Sequence, residues 1–91
     1  MKGRSAVVTG AARGLGRAIA RKLLEEGARV AIWDQDGDAA QECSDQLSDI
    51  GPTHCCAVDI TSPEDVSTAL AATRKMLGEI SILVCNAAIP G

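Results

Sequence analysis

The sequence predicts an α/β fold: one parallel sheet with helices on both of its faces. Three observations carry this expectation. Four short runs are apolar throughout, as strands buried on both faces must be. Between them lie three stretches whose apolar residues recur every three or four positions, the helical spacing. Glycine, proline or short polar clusters stand at the junctions.

The elements follow in chain order. SAVVT (Ser5–Thr9) is a β-branched apolar run that ends at a glycine and predicts the first strand. Leu15, Ile19 and Leu23 then recur every four residues, with Ala18, Ala20 and Leu24 widening the stripe. This is a helix, and Gly27 stands where a glycine commonly follows a helix end. ARVAIW (Ala28–Trp33) is the second strand, closed by the polar DQDGD. Ala40, Cys43, Leu47 and Ile50 mark a second helix that is expected to stop at Gly51-Pro52. HCCAV (His54–Val58) is the third strand. In Ser62-Pro63-Glu64-Asp65 a capping serine, a proline for the first helical position and two acids for the positive end of the dipole open a third helix. Its stripe is Val66, Leu70, Thr73 and Leu77, and Gly78 ends it. ISILVC (Ile80–Cys85) is the fourth strand, and NAAIPG closes the chain.

The order is thus βαβαβαβ. Parallel strands need long crossovers, and crossovers are right-handed, so the arrangement is a Rossmann-type doubly wound sheet with spatial order 3-2-1-4. Residues 1–91 are expected to form a single unit, with no internal repeat or linker.

Composition narrows the function. A net charge of −3 argues against a general binder of nucleic acid or of membrane surfaces. No apolar run approaches the ~20 residues of a membrane span, and no signal-peptide layout opens the chain. With one histidine, His54, and no C-x-x-C pair, a metal site is not expected. Cys43, Cys55, Cys56 and Cys85 are expected to be buried, reduced thiols of a cytoplasmic protein. His54 is expected near the surface at a strand end.

TGAARGLG (Thr9–Gly16) lies where the first strand turns into the first helix. A helix N-terminus presents unpaired N–H groups and positive potential, a ready site for the pyrophosphate of a dinucleotide. Glycines close such a turn and let phosphates approach the backbone. Arg13 and Arg17 lie at the positive start of this helix, and Glu25 and Glu26 at its negative end, the reverse of what the dipole favours. A bound anion accounts for that, whereas surface pairs Arg21–Glu25 and Lys22–Glu26 explain only the far end. An acid, Asp34, ends the second strand, suited to accept hydrogen bonds from ribose hydroxyls.

The spacing G-x-x-x-G-x-G of Gly10, Gly14 and Gly16 resembles the T-G-x-x-x-G-x-G motif of the short-chain dehydrogenase/reductase family. Val58-Asp59-Ile60 resembles the family's aspartate after the third strand, and Asn86-Ala87-Ala88 its N-A-G signature, with Ala88 in place of glycine. The match spans essentially the whole chain. The resemblance implies that Gly10, Arg13, Gly14, Leu15 and Gly16 line or flank the pyrophosphate and that Asp34 faces the adenosine ribose. It further implies that Asp59 and Ile60 meet the adenine, with Asn86 and Ala87 at the strand end beside the cofactor. Asn86 fits a second role equally, as a brace across the sheet.

The family's chemistry uses a serine, a tyrosine and a lysine, and this chain has no tyrosine. The expectation is therefore the cofactor-binding front part of a longer NAD(P)-dependent oxidoreductase acting on an alcohol or carbonyl substrate. No catalytic residue is expected among the 91, and no turnover from them alone. NAD is expected over NADP because Asp34 would repel a 2′-phosphate and Asp36 would add to the repulsion, with no basic residue in Gln35-Asp36-Gly37-Asp38; Arg13 pulls the other way. The alternatives are a non-catalytic NAD-binding module and an interaction protein that pairs through its open sheet edge. ISILVC at that edge also predicts homo-oligomers.

Overall fold

The computed structural model describes residues 3–86. It contains β1 (Ser5–Thr9), α1 (Gly14–Glu25), β2 (Arg29–Asp34), α2 (Gly37–Leu47), β3 (Thr53–Ala57), α3 (Pro63–Leu77) and β4 (Ile80–Cys85). The strands form one sheet in the order β3-β2-β1-β4, and every pairing is parallel. This is the predicted topology. α1 and α2 cover one face, where Leu23, Leu24, Ala40, Cys43 and Leu47 pack on Ala6, Val8, Val30 and Ile32. α3 covers the other, where Ala69 and Leu77 pack with Val7, Ala31 and Trp33. After β3 the chain reverses direction across the sheet and changes face, which keeps all crossovers of one hand.

Burial grades outward from the centre. β1 is buried at every position and β2 at its four inner ones, whereas β3 is half-buried and β4 alternates. The expectation that all four strands are buried on both faces therefore holds only for the central pair. Edge strands have one neighbour, and β4 adds only Ile80 to the cluster under α3, so Leu83 is 60% exposed.

Several boundaries differ from expectation. β2 and β3 each sit one residue from their predicted spans, because Ala28 and Val58 are held by loop hydrogen bonds, Ala28 N–H to Leu23 O and Val58 N–H to Asp34 O. α2 stops at Leu47, before Ile50. Ser48 Oγ–H bonds back to Asp45 O and Ile50 N–H to Leu47 O, so the chain keeps curling and Ile50 still packs on the core. On α1 the stripe is Gly16, Ala20, Leu23 and Leu24; Leu15 and Ala18 are exposed. The helix meets the sheet through its glycine rather than through Leu15.

The cysteines also depart from expectation. All four are free, but only Cys43 is buried, and Cys85 is exposed because β4 is an edge. Cys55 and Cys56 do face opposite sides of β3, each against a different core cluster. Burial pushes all three thiols of Cys43, Cys55 and Cys56 up from the ordinary range. His54, half-buried on β3, lies 3.3 Å from Cys56 Sγ, and desolvation lowers its pKa.

Two polar pairs inside the α3 layer are matched, whereas the buried Nε of Arg29 has no partner among the described residues. Trp33 Nε1–H donates to Thr73 Oγ1 at 3.2 Å, and Ser5 Oγ–H to Leu77 O at 2.6 Å. Thr73 is fully buried, so Thr73→Val leaves the indole N–H without this acceptor. That change is expected to lower unfolding free energy by about 1–3 kcal/mol, read as a lower urea midpoint with Trp33 fluorescence as the probe. An unchanged midpoint would show that the bond contributes nothing.

Candidate functional site

The candidate site lies at the carboxyl ends of β1 and β4, neighbours in the sheet at the point where the strand order reverses, which is where folds of this kind bind ligands. Gly10 and Gly14 of the β1–α1 turn have φ of +63° and +61°, a region costly to side-chain-bearing residues. Gly16 has a different reason to be bare. A Cβ there would stand 2.2 Å from Gly10 O and 2.7 Å from Asn86 Nδ2. A Cβ at Gly14 would meet nothing within 4 Å. The glycines thus divide two tasks: Gly16 lets α1 close onto the sheet, and Gly14 leaves open space at the helix mouth.

The mouth of α1 is electrostatically unlike those of the other helices. Asp36 caps α2 by accepting from Ala39 N–H, and Ser62 caps α3 by accepting from Asp65 N–H. Arg13, at the N-cap of α1, makes no capping bond, and no acid lies in the first turn. The helix therefore ends in outward N–H groups and uncompensated positive potential, at a place where no Cβ intervenes. These observations fit the residues to a pyrophosphate group.

Asp34 stands beside this mouth with its carboxylate fixed from two sides. Ala12 N–H donates to Oδ2 at 3.2 Å and Asp36 N–H to Oδ1 at 3.0 Å. A carboxylate offers about four acceptor positions, so two remain, the number needed for two ribose hydroxyls. Arg13 is exposed and pairs with Asp36 at 2.9 Å, while Arg17 donates to Gln46 Oε1 on α2. Both arginines thus have partners within the protein, which the charge pattern of α1 alone does not reveal. The pairs Arg21–Glu25 and Lys22–Glu26 are present as expected.

Leu15 is 69% exposed in the first turn of α1, outside the core. Asn86 braces the far side. Its N–H donates to Thr9 Oγ1 at 2.9 Å and its Nδ2 to Gly10 O at 3.4 Å. The bracing role is thus met by observed bonds. Asp59 lies past β3, where Thr61 donates to its Oδ1 through N–H and Oγ–H; these bonds hold its carboxyl below the usual range. Ile60, beside it, packs partly against the α3-side core. Ala87 lies outside the described residues. Sequence reasoning missed three contributors: Thr9 as acceptor for Asn86, the Ala12 N–H, and Asp36 as partner of Arg13. Only Asp36 carried a legible signal, an aspartate three residues before the alanines of α2, as an N-cap would stand.

The comparisons with known proteins bear on family and fold. The family model described as short chain dehydrogenase matches residues 4–91. A 2-dehydro-3-deoxy-L-rhamnonate dehydrogenase (NAD(+)) of Sphingomonas is 39% identical over 98% of this chain. The alignment covers 34% of that relative, so the chain spans about a third of its length. The crystal structure of a hydroxysteroid dehydrogenase from Escherichia coli superposes with a TM-score of 0.92 at 35% identity, covering 99% of this chain and 39% of that one. The Pseudomonas aeruginosa RhlG/NADP complex superposes with a TM-score of 0.89 at 36% identity, covering 98% and 36% of the two chains.

The two glycine tasks are separable by mutation. Gly16→Ala is expected to cost about 1–3 kcal/mol of stability, since the obstacle is backbone that cannot swing aside. Gly14→Ala meets no obstacle and is expected to cost about 1–2 kcal/mol through its positive φ alone. Thermal unfolding of both checks this, and a Gly16→Ala chain as stable as the parent would remove the packing role.

Proposed function

The chain belongs to the short-chain dehydrogenase family, and from that premise we propose that residues 1–91 are the dinucleotide-binding part of an NAD(P)-dependent oxidoreductase. The reaction is hydride transfer between the nicotinamide and an alcohol or carbonyl substrate. The observation that carries the reading is Asp34, held by two backbone N–H groups beside an uncapped helix mouth. In this assignment the N–H groups at Gly14, Leu15 and Gly16 would hold the pyrophosphate. Asp34 would accept from the adenosine ribose, and Asp59 with Ile60 would border the adenine. Asn86 and Ala87 would stand at the strand end, Asn86 also fixing the turn that binds phosphate. The bound nicotinamide would supply the hydride acceptor or donor. Proton transfer to the substrate needs residues beyond these, since the chain has no tyrosine.

The cofactor assignment is NAD over NADP. A 2′-phosphate would bring like charge to Asp34 and remove a hydroxyl that the carboxylate accepts from. Arg13 does not offset this freely, because its guanidinium is engaged by Asp36. A cytoplasmic location is included in the reading; four free cysteines fit a reducing compartment.

Association with further protein belongs to the same proposal. β4 is a sheet edge with an uncharged sequence, and Leu83 and Met76 are 60% and 64% exposed. Such an edge invites pairing, with a second copy or with sequence of the kind that makes the relatives three times longer.

NADH is expected to quench or shift Trp33 fluorescence, with NADPH binding about tenfold weaker. Asp34→Ala is expected to weaken NADH and to narrow that gap. NADPH binding as tight as NADH, or an Asp34→Ala chain with an unaltered preference, would overturn the cofactor assignment. The 91 residues are expected to bind without turnover; ketone-dependent NADH oxidation lost in Gly14→Ala would contradict the placement of the chemistry elsewhere.

A further inference from the structure

We propose that the β3 edge of the sheet takes a basic, extended peptide segment as an added strand. This edge lies on the far side of the sheet from β4, and β2 is its one neighbour. Val30 N–H bonds Pro52 O and Val58 N–H bonds Asp34 O, so the even positions of 52–58 give their backbone groups to β2. In a parallel ladder the alternate residues, Thr53, Cys55 and Ala57, then turn N–H and C=O outward. These are the groups that an added strand bonds.

Both flanks of the edge are shaped for side chains of such a strand. On the α3 side runs a groove of about 290 Å³, lined by Cys56, Ala57, Asp65, Thr68, Ala69 and Ala72. These small side chains leave room for aliphatic ones, which an added strand points to one side at every second residue. On the α2 side, Cys55 Sγ–H donates to Gln41 Oε1 at 3.3 Å, and Gln41 Nε2 to Asp45 Oδ1 at 2.9 Å. Asp38 stands one turn before Gln41 on the same row of α2.

Charge decides the occupant. Between Arg29 and Arg74 the sequence holds no lysine or arginine. Asp38, Asp45 and Asp65 are exposed, and none has a basic partner among the described residues. A second copy of the chain would set like charge against like across the joined edges. A segment alternating lysine or arginine with aliphatic residues meets the acids of α2 on one side and fills the groove on the other. Charge at an edge deters indiscriminate pairing, so the same acids that turn away an acidic strand select a basic one.

The probe is a peptide of about seven residues alternating lysine with valine, added to the 91-residue chain. Binding is measured by calorimetry, and its place by amide hydrogen exchange. Exchange is expected to slow at Thr53, Cys55 and Ala57 and to stay unchanged along β4. Asp38→Asn combined with Asp45→Asn is expected to weaken the peptide about three- to tenfold, the scale of two exposed ion pairs. A peptide with glutamate in place of lysine is expected to bind at least about tenfold more weakly. The lysine peptide methylated at its backbone nitrogens keeps its charge but has no strand donors, and is expected to lose the protection. Equal binding by the methylated peptide, or by the doubly substituted chain, would overturn the proposal. So would protection of β4 in place of β3, protection of β3 by self-association without peptide, or no binding at millimolar peptide.

Discussion

The carboxyl end of the sheet depends on one close approach, that of Gly16 to the Gly10 carbonyl. With a Cβ at 2.2 Å from that oxygen, α1 could not enter the sheet at its present angle. The approach also sets Asn86, whose Nδ2 reaches the same carbonyl and whose N–H reaches Thr9. β1, β4 and α1 therefore meet at a point with no room for a side chain. An interior packed at crystal density transmits any displacement, so moving α1 outward would move the β4 end with it.

What that approach exposes is the uncapped end of a dipole. α2 and α3 each have a capping side chain, and α3 adds Glu64 and Asp65 in its first turn. α1 has none of these. An uncapped N-terminus forgoes about 0.5–2 kcal/mol that a serine or aspartate would contribute. The same chain caps α2 and α3, so the omission is specific to the β1–α1 turn. An anionic ligand would supply the missing counter-charge, and would gain from N–H groups already aligned.

Strand and helix identity was legible because burial imposes period: the central strands are apolar throughout, and α3 announces itself with Ser62-Pro63. Right-handed crossovers made the sheet doubly wound, and the order 3-2-1-4 is that of the Rossmann type. Where expectation and structure part, a local sequence pattern met a tertiary circumstance it cannot express. Leu15 fits the period of α1 but falls at the helix mouth, where there is no sheet to cover it. Ile50 fits the period of α2 but reaches the core from a turn. Cys85 reads as buried only if β4 has a neighbour on each side. Arg13 reads as a free cation because its partner lies 23 residues on, across two elements. Glycine spacing identified the turn, yet separating Gly14 from Gly16 required knowing what stands opposite each.

Trp33 explains how an acid on a strand end can be held firmly enough for the discrimination proposed for it. Its carbonyl accepts from Ala11 N–H in the glycine turn, on one side of the sheet. Its indole donates to Thr73 of α3 on the other. Asp34, the next residue, is then fixed by Ala12 and Asp36 at its carboxylate. Backbone and side chain at this corner are thus tied to β1–α1, α2 and α3 at once, before any ligand arrives. A site ordered in advance loses little conformational freedom on binding, so more of each hydrogen bond to a ribose hydroxyl survives as affinity. On the proposed assignment, the same rigidity would keep Asp34 from swinging aside for a phosphate. Discrimination by this carboxylate would then be effective because the carboxylate cannot retreat.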